Sequence, residues 1–245
     1  MRTSPRLLLL VLALLSASLP HLRAEELPGA AFSKWERSIA AFEEQDEKTP
    51  PPKHGVLFVG SSSIRKWTTM AEGFPRHRLL NRGFGGSQLS DAAHFADRIV
   101  LPYEPRFIVV YAGGNDINAH KSPEQVFYAY QDFVGRVRSK QPKTPIAFVS
   151  IAGNPKRWDQ LESVKRANTL IEAYIREHQG LIYIDVFHAM LGPDGLPRPE
   201  IFSADQLHMN AEGYKLWTNI IGGYLPKADR DVAGDAAGRT VGSGF

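Results

Sequence analysis

Apolar residues recur along this chain in two alternating rhythms. Apolar runs at 56–59 and 107–111, two more at 146–151 and 181–187 each interrupted by one polar residue, and a weaker one at 79–84 predict five buried strands. Spacings of three and four between them predict helices. One runs from Pro123 to about Lys140, with Val126, Phe127, Tyr130, Phe133, Val134 and Val137 on its apolar face. A second covers about 159–178, carrying Leu161, Val164, Leu170, Ile171, Tyr174 and Ile175. A third covers about 211–224, carrying Tyr214, Leu216, Trp217, Ile220 and Ile221, with Asn210 placed to cap it. Upstream, Trp35, Ile39 and Phe42 predict a short helix over 32–42, which Thr49-Pro50-Pro51-Pro52 ends. Five strands separated by helices predict an α/β fold: a five-stranded parallel sheet covered on both faces.

Such sheets bind ligands beyond the carboxyl ends of their strands. The polar clusters of this chain fall there. Gly60-Ser61-Ser62-Ser63 follows the first strand, Gly83-Phe84-Gly85-Gly86-Ser87 the second, and Gly113-Gly114-Asn115-Asp116 the third. Asp205 and His208 stand just before the last helix. An Asp-x-x-His pair alone is commonly surface decoration, and a serine-rich turn is commonly a turn. Four polar groups on one rim supply what acyl transfer requires: a nucleophile, a base, an acid to orient the base, and donors for an oxyanion. His208 is the candidate base, and Asp205 three residues earlier can accept a hydrogen bond from its Nδ1–H. The Gly86 backbone, the Asn115 amide and the serine's own N–H are the candidate oxyanion donors.

The N-terminus changes the charge balance. Arg2 and Arg6 precede an all-apolar run, residues 7–15, which is followed by polar and small residues up to Ala24. This is the layout of a secretory leader, with cleavage expected after Ala24 and export expected for the protein. The apolar run is too short for a stable membrane span. Loss of residues 1–24 removes Arg2, Arg6 and Arg23 and no acid, so the mature chain carries as many bases as its 26 acids. No net field then points to nucleic acid or to an acidic membrane. The chain has no cysteine, which excludes disulfides, thiolate catalysis and cysteine-ligated zinc. Residues 25–53 form a helix and proline-rich lead-in, 54–225 the domain, and 226–245 a polar tail expected to be disordered.

In order along the chain, Phe58-Val59-Gly60-Ser61-Ser62-Ser63-Ile64, Asn81-Arg82-Gly83-Phe84-Gly85-Gly86, Gly113-Gly114-Asn115-Asp116 and Asp205-Gln206-Leu207-His208 resemble the four blocks of the SGNH hydrolases, or GDSL-type esterases. The resemblance spans about residues 54–225. It implies a flavodoxin-like three-layer sandwich. It also implies Ser62 as nucleophile, Gly86 and Asn115 joining the Ser62 backbone in the oxyanion hole, and Asp205 and His208 completing a triad. The chain departs from the pattern at Ser61, where the family has aspartate. The residues themselves leave Ser61 and Ser63 as rival nucleophiles and Asp185, at the end of the fifth strand, as a rival acid.

Further polar residues follow strand ends. Asp116 is expected to orient its loop, and Arg65, Asn154 and Arg157 are candidates for a substrate carboxylate or sugar hydroxyl. Trp67 and Trp158 suit either a pocket wall or the core. His54, His94, His120, His178 and His188 show no ligand spacing, so no metal is expected. The Gly83–Gly86 loop lacks dinucleotide spacing, so no cofactor is expected. The function read here is an exported serine esterase acting on a small-molecule or glycan ester, with short acyl or O-acetyl groups favoured. A lysophospholipase or thioesterase on longer chains, and a catalytically inactive glycan-binding relative, are the rivals.

Overall fold

The computed structural model describes residues 32–228. The leader expected over 1–24 and most of the tail expected over 226–245 lie outside those residues. Five strands, β1 (Val56–Gly60), β2 (Leu79–Gly83), β3 (Phe107–Tyr111), β4 (Ile146–Val149) and β5 (Leu181–Ile184), form one sheet in the order β2-β1-β3-β4-β5. Every neighbouring pair is parallel. Gly60 lies opposite both Gly83 and Tyr111, so the three strands that precede the expected site end level at one rim.

Alternate strand residues face opposite layers, as the two-residue period requires. Leu57, Val59, Ile108, Val110, Ile146 and Phe148 point to one layer, covered by helices α1 (Glu36–Lys48), α2 (Pro123–Lys140) and α3 (Leu161–Arg176). Val56, Phe58, Phe107, Val109, Ala147 and Val149 point to the other, where Trp67 and Phe74 pack with Trp217 and Ile221 of helix α4 (Ala211–Gly222). This is the three-layer α/β sandwich expected.

Several boundaries differ from the expected ones, each for a local reason. The strands expected over 146–151 and 181–187 stop at Val149 and Ile184. Ile151, Val186 and Phe187 stay buried, but side chains replace the ladder there. The Ser150 hydroxyl accepts from the N–H groups of Val186 (2.9 Å) and Phe187 (3.0 Å), and Asn168 exchanges two hydrogen bonds with Ile151. The first helix begins with a 3-10 turn, Ser33–Trp35, and outruns its apolar stripe to Lys48. Its later turns carry Glu43 and Asp46, which pair with Arg98 and Arg82 of the domain. Similarly, the helix expected from about 159 opens with a 3-10 segment, Pro155–Gln160, before α3. No helix among the described residues is long and apolar enough to cross a membrane.

Candidate active site

Gly60 ends β1 with φ +144°, and a Cβ there would collide with the Tyr111 carbonyl oxygen. Only glycine fits so tight an approach. The chain then turns. Ser61, buried, donates its N–H to that same carbonyl at 3.0 Å, and its own carbonyl accepts from Ile64 and Arg65 at 3.1 Å each. Ser62 thereby opens a one-turn helix, Ser62–Arg65. Tyr214 of α4 donates its hydroxyl proton to the Ser63 carbonyl at 2.9 Å, which ties this turn to the last helix.

The same last helix positions His208, the expected base. Asn210 caps α4, its side-chain oxygen accepting from the N–H groups of Glu212 (3.0 Å) and Gly213 (3.1 Å). Its amide also donates to the carbonyls of Glu200 (2.8 Å) and Phe202 (3.0 Å), so one side chain anchors both arms of the loop before the helix. Within that loop Gln206 adopts φ +54°, and Asp205 Oδ1 accepts from the N–H groups of Leu207 (3.0 Å) and His208 (2.9 Å). Asp205 Oδ2 lies 2.6 Å from His208 Nδ1, and His208 Nε2 lies 2.9 Å from Ser62 Oγ. The imidazole hydrogen bond, reinforced by the two backbone N–H groups, holds the Asp205 carboxyl well below the usual carboxylate range. An ionised Asp205 requires the proton on Nδ1, which leaves Nε2 as acceptor for the Ser62 hydroxyl. Lys66 Nζ stands 3.2 Å from the same Nδ1 and adds a positive charge beside the pair.

The third part is built from the loops after β2 and β3. Phe84 donates its N–H to the Gly60 carbonyl at 2.9 Å, and the Ser87 hydroxyl reaches that carbonyl at 3.1 Å. Between them Gly86 takes φ +83°, with the Trp35 ring against it. Asn115, in the short helix Gly114–Asn118, donates one amide proton to the Ser87 carbonyl at 3.0 Å. An amide carries two such protons, so one remains for the cleft. Arg157 Nη1 donates to Asn115 Oδ1 at 3.1 Å and to the Gly114 carbonyl at 3.2 Å, which fixes the amide's orientation. Ser62, Asn115, Asn154, Arg157 and His208 line one small cleft of about 40 Å³.

The other candidates fall elsewhere. Asp116 is fully buried; its Oδ2 accepts from the Leu89 N–H at 3.1 Å and its Oδ1 faces Lys121 at 3.5 Å. Burial pushes its carboxyl up. Asp185 pairs with its own histidine, Oδ2 to His188 Nδ1 at 2.5 Å, and not with His208. Trp67 is a core residue, packed edge-on against Phe58 and Trp217. His94 stacks on Phe32, and His178 bonds the Tyr174 carbonyl. Among the described residues no group of three or more His, Asp or Glu side chains is arranged to hold a metal ion. Sequence reasoning missed Lys66 and the bracing by Ser87. Lys66 was findable: it lies four residues after Ser62, one helical turn along.

The profile of the GDSL-like lipase/acylhydrolase family matches residues 56–216, which hold all five of these site residues. Comparison with curated proteins gives no match. Solved structures share the fold. A GDSL-like lipase from Bacteroides thetaiotaomicron VPI-5482 superposes with a TM-score of 0.66 at 17% identity, covering 76% of this chain and 96% of that one. For an acetyl esterase variant with an acetate ion the values are 0.56, 17%, 69% and 95%. For a carbohydrate esterase family 3 protein from Talaromyces cellulolyticus they are 0.53, 19%, 69% and 95%.

Proposed function

Because the chain belongs to the GDSL-like lipase/acylhydrolase family, we propose that it is an exported serine esterase that removes short acyl groups, acetyl foremost, from a carbohydrate or similar small alcohol. The hydrogen-bond chain from Asp205 through His208 to Ser62 Oγ carries this reading. Ser62 Oγ attacks the ester carbonyl while its proton passes to His208 Nε2. The Ser62 and Gly86 N–H groups and the free Asn115 amide proton receive the oxyanion. Asp205 stays ionised and stabilises the imidazolium. His208 then protonates the departing alkoxide oxygen, leaving an acyl-Ser62. Water, deprotonated by the same imidazole, attacks that ester and releases the carboxylic acid.

The preference for short acyl groups rests on the cleft. At about 40 Å³ it holds roughly three water-sized groups. Asn115, Asn154, Arg157 and the serine hydroxyls make its walls polar, which suits an acetyl on a sugar better than a fatty chain. The neighbours named for acetyl and carbohydrate esterases agree. Export rests on the leader over residues 1–24.

Two measurements test the reading. Nitrophenyl acetate turnover should fall by about 10⁴-fold or more in Ser62→Ala, given what loss of the nucleophile costs comparable triads. Wild-type activity surviving in that variant removes Ser62 from its role. The two-carbon ester should also outpace the eight-carbon ester. The reverse order would move the assignment to longer acyl chains.

A further inference from the structure

Three cations around Ser62 differ from the arginines elsewhere that hold carboxylate partners. Elsewhere Arg82 pairs with Asp46, Arg98 with Glu36 and Glu43, Arg136 with Asp132, Arg176 with Glu172 and Arg198 with Glu200. Arg157, Arg65 and Lys66 have no carboxylate partner among the described residues. The Arg65 side chain lies against Gly85, next to the oxyanion glycine, and Lys66 stands beside His208. The acid near them, Asp205, is engaged by His208 and two backbone N–H groups. Three cations without a carboxylate of their own thus stand close to Ser62.

Arg157 is the innermost of the three and half-buried. Its Nη1 protons go to Asn115 Oδ1 and the Gly114 carbonyl. That leaves the three N–H bonds of Nη2 and Nε without an acceptor among the described residues. Those N–H groups keep contact with solvent, and partial burial without a counter-charge pushes the guanidinium pKa down. A planar fork of free N–H groups matches a carboxylate or phosphate in two-point geometry.

Resting on the esterase reading above, we infer that the cleft selects esters that carry a compact oxyanion group close to the scissile bond, a carboxylate or a phosphate, which Arg157 binds and Arg65 and Lys66 attract. An O-acetylated acidic sugar is the substrate class this describes. The reaction is unchanged: the oxyanion group is held and takes no part in bond making.

The test uses three acetyl esters matched in everything but charge: a methyl hexoside, the corresponding methyl hexuronoside and the corresponding hexoside 6-phosphate. At low salt the wild-type kcat/KM should be about 10-fold or more higher for an anionic ester than for the neutral one, the gain expected from a charge-assisted pair. Which anionic ester leads tells carboxylate from phosphate. In Arg157→Met the ratio should collapse towards one, and in Arg157→Lys part of it should return. If Arg157 only braces Asn115, the variants lower kcat on all three esters alike and keep the ratio, which overturns the inference. Equal wild-type rates overturn it too. A separate measurement stands apart from turnover: the acetyl-free hexuronoside and hexoside phosphate, titrated calorimetrically into Ser62→Ala protein. Tighter binding of either than of the neutral hexoside, lost on adding Arg157→Met, supports the subsite even if the chain proves inactive on every ester. No difference in binding among the three sugars refutes it.

Discussion

Asn115 has two tasks, one for each proton of its amide. One proton bonds the Ser87 carbonyl, and the other is free for the oxyanion. Asn115→Ala should therefore lower kcat by about 10²–10³ with little change in KM, the usual cost of one oxyanion donor. A rise in KM at constant kcat would assign Asn115 to substrate binding instead. Asp205 makes a prediction of different form. Its folded-state pKa is depressed, so its contribution to stability is present above the ordinary carboxylate range and lost as the pH falls through it. The urea midpoints of wild type and Asp205→Asn should differ at neutral pH and converge as the pH drops below about 4. A gap that widens in acid contradicts the sign. Among three consecutive serines, residue chemistry alone gives no preference. The choice comes from a contact 146 residues apart in sequence, Ser62 to His208, which no local pattern displays. Arg157 was visible as a strand-end cation, but its grip on Asn115 was not, because residues 42 apart must first be folded together.

At the scale of elements, the cap of α4 is also the anchor of the loop that carries Asp205 and His208. Asn210→Ala should cost about 1 kcal/mol in denaturant unfolding, as lost N-caps do. It should also reduce kcat, because the two carbonyl bonds that pin the loop carrying His208 go with it. Destabilisation with kcat unchanged would show that Asp205 alone holds the imidazole in place. Elements with strong end signals were legible to the residue. α2 has Ser122 and Gln125 in a reciprocal capping box and Pro123 at its first position, and β3 is an uninterrupted apolar run. Illegible were the short helices Leu89–His94 and Ala96–Ile99, since one turn shows no periodicity. The early ends of β4 and β5 were hidden because Ser150 and Asn168 replace ladder bonds while the apolar pattern runs on.

Over the whole molecule, α1 lies before the region that the family profile matches, yet it is part of the core. Ile39 is fully buried in the layer of α2 and α3, and Asp46 reaches Arg82 on β2. Ile39→Ala should lower stability by about 2–5 kcal/mol, as for other buried aliphatic truncations. A loss below about 1 kcal/mol, well under that range, would mean that α1 is only loosely attached. The layered α/β class followed from the alternation of runs, whereas the strand order did not: β1 sits between β2 and β3, a matter of crossovers rather than of periodicity. That order also separates two turns built alike. Asp185 and His188 repeat the Asp205–His208 arrangement, a backbone N–H to one carboxylate oxygen and Nδ1 to the other. One turn ends at a serine and is largely shielded; the other leaves its imidazole 79% exposed. The molecule thus contains its own reference compound. Comparing the ring-nitrogen NMR shifts of both imidazoles in one sample subtracts the common aspartate, and the remainder is the contribution of the Ser62 hydroxyl and the cations around it.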